Sequence, residues 1–173
     1  MKAIANSVRS CLQSNMLRVF GIIAIMLFTS MAQAFQLQNL EKERVNLMDY
    51  VGDGRWTLIM FWATDCIPCE QQKPAFEVFH RQHKDSLASV VGIVIDGLEH
   101  EAEAAKLIDH HQPTYPNLVA LSDVFHRQYQ ELVGKQFRNT PTYLVFDPQG
   151  NLQGNIYGNM DFNALSQHIQ AQN

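Results

Sequence analysis

Phe61-Trp62-Ala63-Thr64-Asp65-Cys66-Ile67-Pro68-Cys69 (FWATDCIPC) closes a hydrophobic run with two cysteines three positions apart. The run before them, Trp56 to Ala63, is apolar and of strand length, the pattern of a strand buried on both faces. After them, Pro68 to about His83 reads as a helix. Its apolar positions Phe76 and Phe79 sit beside Ala75 and Val78, with charges between. Pro74 lies inside it and is expected to kink the helix or end its first segment. A strand handing over to a helix at a cysteine pair places Cys66 at the first helical turn. There it meets free N–H groups and the positive end of the helix dipole. That setting favours a thiolate and lowers the thiol pKa from its free value of about 8.5. Cys69 is one turn on, on the same face, and can close a ring with Cys66. Pro68 has no N–H to lose so near a helix start. Such a pair can be oxidised and reduced without refolding, with Cys66 as the exposed attacking sulfur and Cys69 as the buried resolving one.

A structural staple and a metal clip use the same residue type. A disulfide closing so short a loop removes little entropy from the unfolded chain, so it makes a poor staple. A zinc site needs two further ligands. His80, His83, His110 and His111 are present, but no second cysteine pair is. The helix-start placement serves a redox pair better than either.

Val90 to Gly97 reads as a second buried strand and Glu99 to His111 as a helix, acidic near its start as the dipole prefers. Pro113 and Pro116 stop that helix, and Asn117 to Leu121 is a short strand. Ser122-Asp123 is the expected N-cap of a helix ending at Gly134. Phe125 and Tyr129, four apart, form its core stripe, and His110-His111 is expected to satisfy the carbonyls ending the helix before it. Thr142 to Phe146 is a third long strand, Asp147-Pro148-Gln149-Gly150 a turn, and Asn151 to Gly158 the hairpin partner. Asp161 caps a final helix. Phe35 to Arg55 offers short alternating pieces ending in a Gly-Asp-Gly turn. The order predicts an α/β fold of three layers: a central mixed sheet, parallel in the middle and antiparallel at the terminal hairpin, with helices on both faces.

The chain has 173 residues, the length of one domain with a substantial core. Its first 34 residues differ from the rest, with Lys2, Arg9 and Arg18 and no acid. A 12-residue apolar run, Val19 to Ser30, leads to Met31-Ala32-Gln33-Ala34. This is a secretory signal peptide pattern, cleaved after Ala34, with 35–173 as the mature domain. An uncleaved anchor is the rival reading, although about 20 residues are needed to span a bilayer. Cleavage would discard Cys11. Lys and Arg then fall from 13 to 10 while all 17 acids remain, giving a mature charge of −7. So acidic a surface speaks against nucleic acid and anionic membranes as partners. The expected compartment is one where disulfides persist, a bacterial periplasm.

FWATDCIPC resembles the active-site signature of the thioredoxin-like superfamily. With the segment 99–111 inserted between strands as a βα unit, the chain is most similar to the TlpA/ResA branch of periplasmic thiol-disulfide oxidoreductases. Pro74, five residues after the second cysteine, Asn139 to Gly150 (NTPTYLVFDPQG) and Ile156-Tyr157-Gly158 also match. The resemblance implies a cis Thr140-Pro141 peptide facing the cysteines, with the Thr140 backbone as an edge for a partner's extended chain. Trp62 and Pro68 would flank that groove. Two departures concern proton transfer. Asp65 stands where this branch usually has Trp, and would raise the thiol pKa or accept a proton. Met60 and Gln72 stand where acids are usual, which leaves Asp65 and Glu70 as proton-transfer candidates.

The implied activity is disulfide exchange with partner proteins, in the reductive direction. A membrane donor of the DsbD/CcdA type would supply electrons, for cytochrome c maturation or support of a particular redox enzyme. The implied protein is a monomer that uses no organic cofactor and no metal. Rival readings are a copper chaperone using Cys66, Cys69 and a histidine, and a redox-silent binding module on the same fold. Peroxide reduction is a further rival, but its Pro-x-x-x-Thr-x-x-Cys pattern is not met. Thr64 stands one residue short, and no proline precedes it in the run.

Overall fold

A computed structural model describes residues 35–172. The signal peptide expected at 1–34 lies outside the described residues. The elements are β1 (Gln36–Gln38), β2 (Arg44–Asn46), β3 (Trp56–Trp62), α1 (Ile67–His83), β4 (Ala88–Val94), α2 (Glu101–His111), β5 (Asn117–Ala120), α3 (Ser122–Val133), β6 (Thr142–Phe146), β7 (Leu152–Tyr157) and α4 (Phe162–Ala171). One seven-stranded sheet runs β2-β1-β5-β4-β3-β6-β7. β3, β4 and β5 are parallel, and β6 and β7 continue antiparallel beyond β3. The mixed three-layer architecture is as expected. The N-terminal pieces add a second antiparallel margin, β1 against β5 and β2 against β1.

All seven residues of β3 are buried, so its pleat feeds two cores. Leu58, Met60 and Trp62 pack on one face with Phe76 and Phe79 of α1 and Ile169 of α4. Ile59 and Phe61 pack on the other with Phe125 and Tyr129 of α3. Phe61 is fully buried, with the rings of Phe35, Phe125, Tyr129 and Phe137 at centroid distances of 5.5–6.2 Å. Burying one such ring stabilises the fold by about 1.5–3 kcal/mol.

Three local expectations are corrected. Pro74 does not end the first helix: α1 runs unbroken through it. Pro74 is exposed, so its ring displaces no core side chain of the helix. Ala75 and Val78 are exposed, and the buried stripe of α1 is Cys69, Lys73, Phe76, Phe79, His80 and His83. Ser122-Asp123 does not cap α3. Leu121 takes the cap position without a side-chain bond, because β5 ends only one residue earlier and Ser122 is already helical. Gly134 does end α3, at φ 71°, and Asp161 does cap α4, accepting the N–H groups of Asn163 and Ala164 at 3.0 Å each.

Gly92 sits inside β4, and a Cβ there would lie 2.5 Å from Asn117 Oδ1 and 3.2 Å from the Tyr115 ring. Asn117 and Tyr115 are both buried, which leaves neither room to retreat. Gly92→Ala is expected to destabilise the domain by about 1–3 kcal/mol, read as a lower urea midpoint at unchanged slope.

His80 and His83 are both buried. His83 Nε2 meets Ser166 Oγ at 2.9 Å, whereas His80 Nδ1 has no partner. Burial pushes both imidazoles below their ordinary value of 6.5. The unfolded chain therefore binds protons first. Their contribution to stability is complete above the unfolded value and is lost as pH falls through the lowered folded values. Urea midpoints are expected to fall between about pH 7 and about pH 5, and less steeply in His83→Gln.

Candidate functional site

The site is assembled where parallel strands end. Ile95 N–H donates to Trp62 O at 2.9 Å, extending the β3–β4 pairing past both strands. Asp96 follows, and its carboxylate takes the Thr64 N–H at 3.1 Å and the Thr64 hydroxyl at 2.7 Å. This clamp joins the loop leaving β3 to the loop leaving β4. Cys66 N–H then reaches Ala63 O at 3.3 Å, and α1 begins.

Cys66 is the N-cap of α1, at φ −91° and ψ 92°, with Pro68 in the first turn. Its sulfur accepts the backbone N–H of Cys69 at 3.2 Å. Cys66 and Cys69 form a disulfide, S–S 2.01 Å and Cα–Cα 5.2 Å. Cys69 is wholly buried, and Cys66 shows only 7 % of its surface, so the expected exposed sulfur is instead a nearly covered one. Around it Asp65, Pro68 and Ile67 (72 % exposed) form the open surface. After reduction, the Cys69 N–H and the helix start are in place to stabilise a Cys66 thiolate.

Thr140-Pro141 is cis. Thr142 opens β6 opposite Phe61, and Gly158 N–H donates to Pro141 O at 2.9 Å. This register brings Pro141 to the sheet edge where β3 gives way to the cysteines. Pro141 is buried and Thr140 half-buried. Trp62 does not flank an open groove. It is 2 % exposed, because its position on β3 turns the indole into the core beneath α1.

Over that indole lies a charge. Lys73 Nζ is 3.6 Å from the ring centroid, and Lys73 is 5 % exposed. It also bonds Glu70 Oε1 at 2.5 Å, while Glu70 Oε2 meets His111 Nε2 at 2.5 Å. Burial pushes the Glu70 carboxyl up, but bonds and charges from Lys73 and His111 outweigh this and hold it below its ordinary range. Burial pulls the Lys73 ammonium down, and Glu70 offsets part of that. Glu70 is therefore an ion-paired carboxylate, whereas Asp65 is exposed. Gln72 Oε1 accepts from the Tyr143 hydroxyl at 3.2 Å and from Met160 N–H at 2.9 Å, so it ties α1 to β6 and to the loop before α4. Met60 is buried opposite Tyr143.

The four histidines are not brought together. His80 and His83 lie in the core, His111 bonds Glu70 rather than the end of its own helix, and His110 meets the His111 ring edge-on at 5.0 Å. Among the described residues, no group of three or more His, Cys, Asp or Glu side chains is arranged to hold a metal ion.

Sequence reasoning missed Lys73, Asp96 and the role of His111. Lys73 was findable, since it lies four residues after Cys69, on the stripe that must face the sheet. Asp96 was findable as the residue just past a buried strand parallel to β3. Nothing local marks His111, whose contact spans 41 residues of chain. Asp96→Ala leaves the Thr64 N–H and hydroxyl without their acceptor. It is expected to cost about 1–3 kcal/mol in urea unfolding and to speed hydrogen exchange at Thr64.

Comparison with known proteins follows this geometry. The AhpC/TSA family model matches residues 29–154. The chain is 28% identical over 138 residues to the thioredoxin-like protein YneN of Bacillus subtilis, covering 80% of this chain and 76% of that one. It is 28% identical over 146 residues to the thiol-disulfide oxidoreductase ResA of Geobacillus thermodenitrificans, covering 82% and 76%. Among solved structures, the thioredoxin domain of a thiol-disulfide oxidoreductase from Bacteroides vulgatus superposes with a TM-score of 0.66 at 19% identity, covering 79% and 93%.

Proposed function

The chain belongs to the AhpC/TSA family and is a thioredoxin-like thiol-disulfide oxidoreductase, and from that premise we propose that it reduces disulfides of partner proteins outside the cytoplasm through Cys66 and Cys69. The supporting observation is the cysteine pair itself: Cys66 sulfur at the helix cap receiving the Cys69 N–H, with Cys69 buried one turn below. The Cys66 thiolate attacks a partner disulfide, forms a mixed disulfide and expels one partner sulfur as thiolate. The Cys69 thiol gives up its proton and attacks Cys66. The Cys66–Cys69 bond closes, and the second partner sulfur leaves and takes up a proton. Two electrons pass from enzyme to partner. Half-buried Thr140, backed by the buried Pro141, and exposed Pro68 are the surface on which the partner chain would lie.

The N-terminal basic and apolar pattern supports export to a periplasm, where a membrane donor of the DsbD/CcdA type would re-reduce the pair. Cytochrome c maturation, or support of one redox enzyme, is the setting this reading favours. Sulfur exchange itself calls for no further group. Peroxide reduction has a specific observation against it: the Thr64 hydroxyl donates to Asp96 rather than to the space over Cys66.

The test is trapping. Cys69→Ser, expressed in the native compartment, is expected to accumulate a mixed disulfide through Cys66 that mass spectrometry identifies. Cys66→Ser is expected to abolish insulin disulfide reduction. Turnover of peroxide with no trapped protein partner would replace this reading with the peroxidatic one.

A further inference from the structure

Lys73 is a cation that the exchange chemistry above does not use. It lies on the buried stripe of α1, four residues after Cys69. Helical side chains lean toward the N-terminus, and Lys73 does so: its ammonium contacts Glu70, the residue adjoining Cys69, and covers the ring of Trp62, four residues before Cys66. The ammonium thus lies inside the fold, between Glu70 and the indole of Trp62, on the side of Lys73 that faces the cysteine end of the helix. An apolar side chain would fill this space without the cost of burying a charge.

Resting on the exchange reading, we propose that Lys73 is a positioning residue for the resolving step, its ammonium stabilising the Cys69 thiolate that must form inside the protein. While the disulfide is closed, the ammonium is neutralised by Glu70 alone. When Cys69 loses its proton, thiolate and carboxylate share the cation, and His111 remains as the second partner of Glu70. Cys69 is fully buried, so solvent cannot stabilise its negative charge and a fixed cation can. Glu77 and Arg81 of α1, His110 and His111 of α2 and Tyr115 line the cleft of about 340 Å³ beside Lys73. Glu77 bonds Arg81 at 2.5 Å. Tyr143, from the sheet, bonds Gln72.

The test uses the full chain carrying Cys11→Ser and Cys66→Ser, which leaves Cys69 as its one thiol. Thiolate absorbance is followed against pH. Lys73→Met is expected to make Cys69 about tenfold less acidic, and Glu70→Gln to make it more acidic, with Lys73→Arg near the parent. In the intact pair, at a pH where the parent thiolate is populated, Lys73→Met is expected to move the glutathione equilibrium about tenfold toward disulfide, about 30 mV. A purely structural role moves Lys73→Met and Glu70→Gln in the same direction. That result, or unchanged acidity in both, overturns the proposal. Glu70 is half-buried on the helix surface, so its variant still decides the matter if Lys73→Met fails to fold. No partner protein enters either measurement. Failure of insulin reduction by the parent would sink the exchange reading and the resolving role that rests on it, leaving only the effect of Lys73 on Cys69 acidity, whereas unchanged acidity in a parent that reduces insulin would sink this proposal alone.

Discussion

Two hydrogen bonds from Thr64 to one carboxylate fix the geometry of the site. Asp96 can accept them because β3 and β4 are parallel neighbours, so both chains leave the sheet at the same edge. Parallel α/β sheets place their working crevices at such edges. Once Thr64 is held, the chain has one residue before Cys66 must cap α1. The Cys69 N–H then arrives at the Cys66 sulfur without further adjustment. β6 completes the edge from the opposite direction. It is antiparallel to β3, so its first residues, rather than its last, come to the cysteines, and Pro141 arrives there for that reason. Three loops meet at the disulfide because of the order of strands in the sheet, and no single loop carries the site alone.

What could be read from the chain follows from where burial leaves a trace. β3, β4 and β6 are covered on both faces, and each shows a near-continuous apolar run. The turn at 147–150 is visible because its Asp, Pro and Gly each have a conformational reason to be there. β1 and β2 were not visible as sheet members. They are three residues each, and β1 depends on pairing Leu37 with Ala120, more than eighty positions away. The cysteine pair and the cis Thr140-Pro141 peptide were legible, the second only through family likeness. Trp62 was misjudged because nearness in sequence to the cysteines does not tell whether the last residue of a strand buried on both faces ends at the rim of the site or beneath the helix that follows.

The inner face of α1 shows why polarity alone misleads. Ala75 and Val78 look like core residues and are exposed, whereas Lys73, His80 and His83 look like surface residues and are buried. Helical spacing selects 69, 73, 76, 80 and 83 irrespective of residue type. Each polar member then needs a local solution. His83 has Ser166 from α4, and Lys73 has Glu70 and the indole of Trp62. His80 keeps one nitrogen unbonded, a cost that a neutral imidazole bears more easily than a charged one.

The arrangement around Lys73 also changes how α2 is understood. By sequence it is an insertion between two strands, and in the sheet it is the crossover that joins parallel β4 and β5. In the structure its last residue supplies His111 to Glu70, the acid adjoining Cys69. Glu70 lies in the first turn of α1, where the helix dipole favours a negative charge, so its carboxylate has three reasons to stay ionised. The polar chain that starts at the residue adjoining Cys69 is held by one residue from the inserted helix and two from the helix that carries the cysteines, which makes α2 part of the site's electrostatics as well as of the fold.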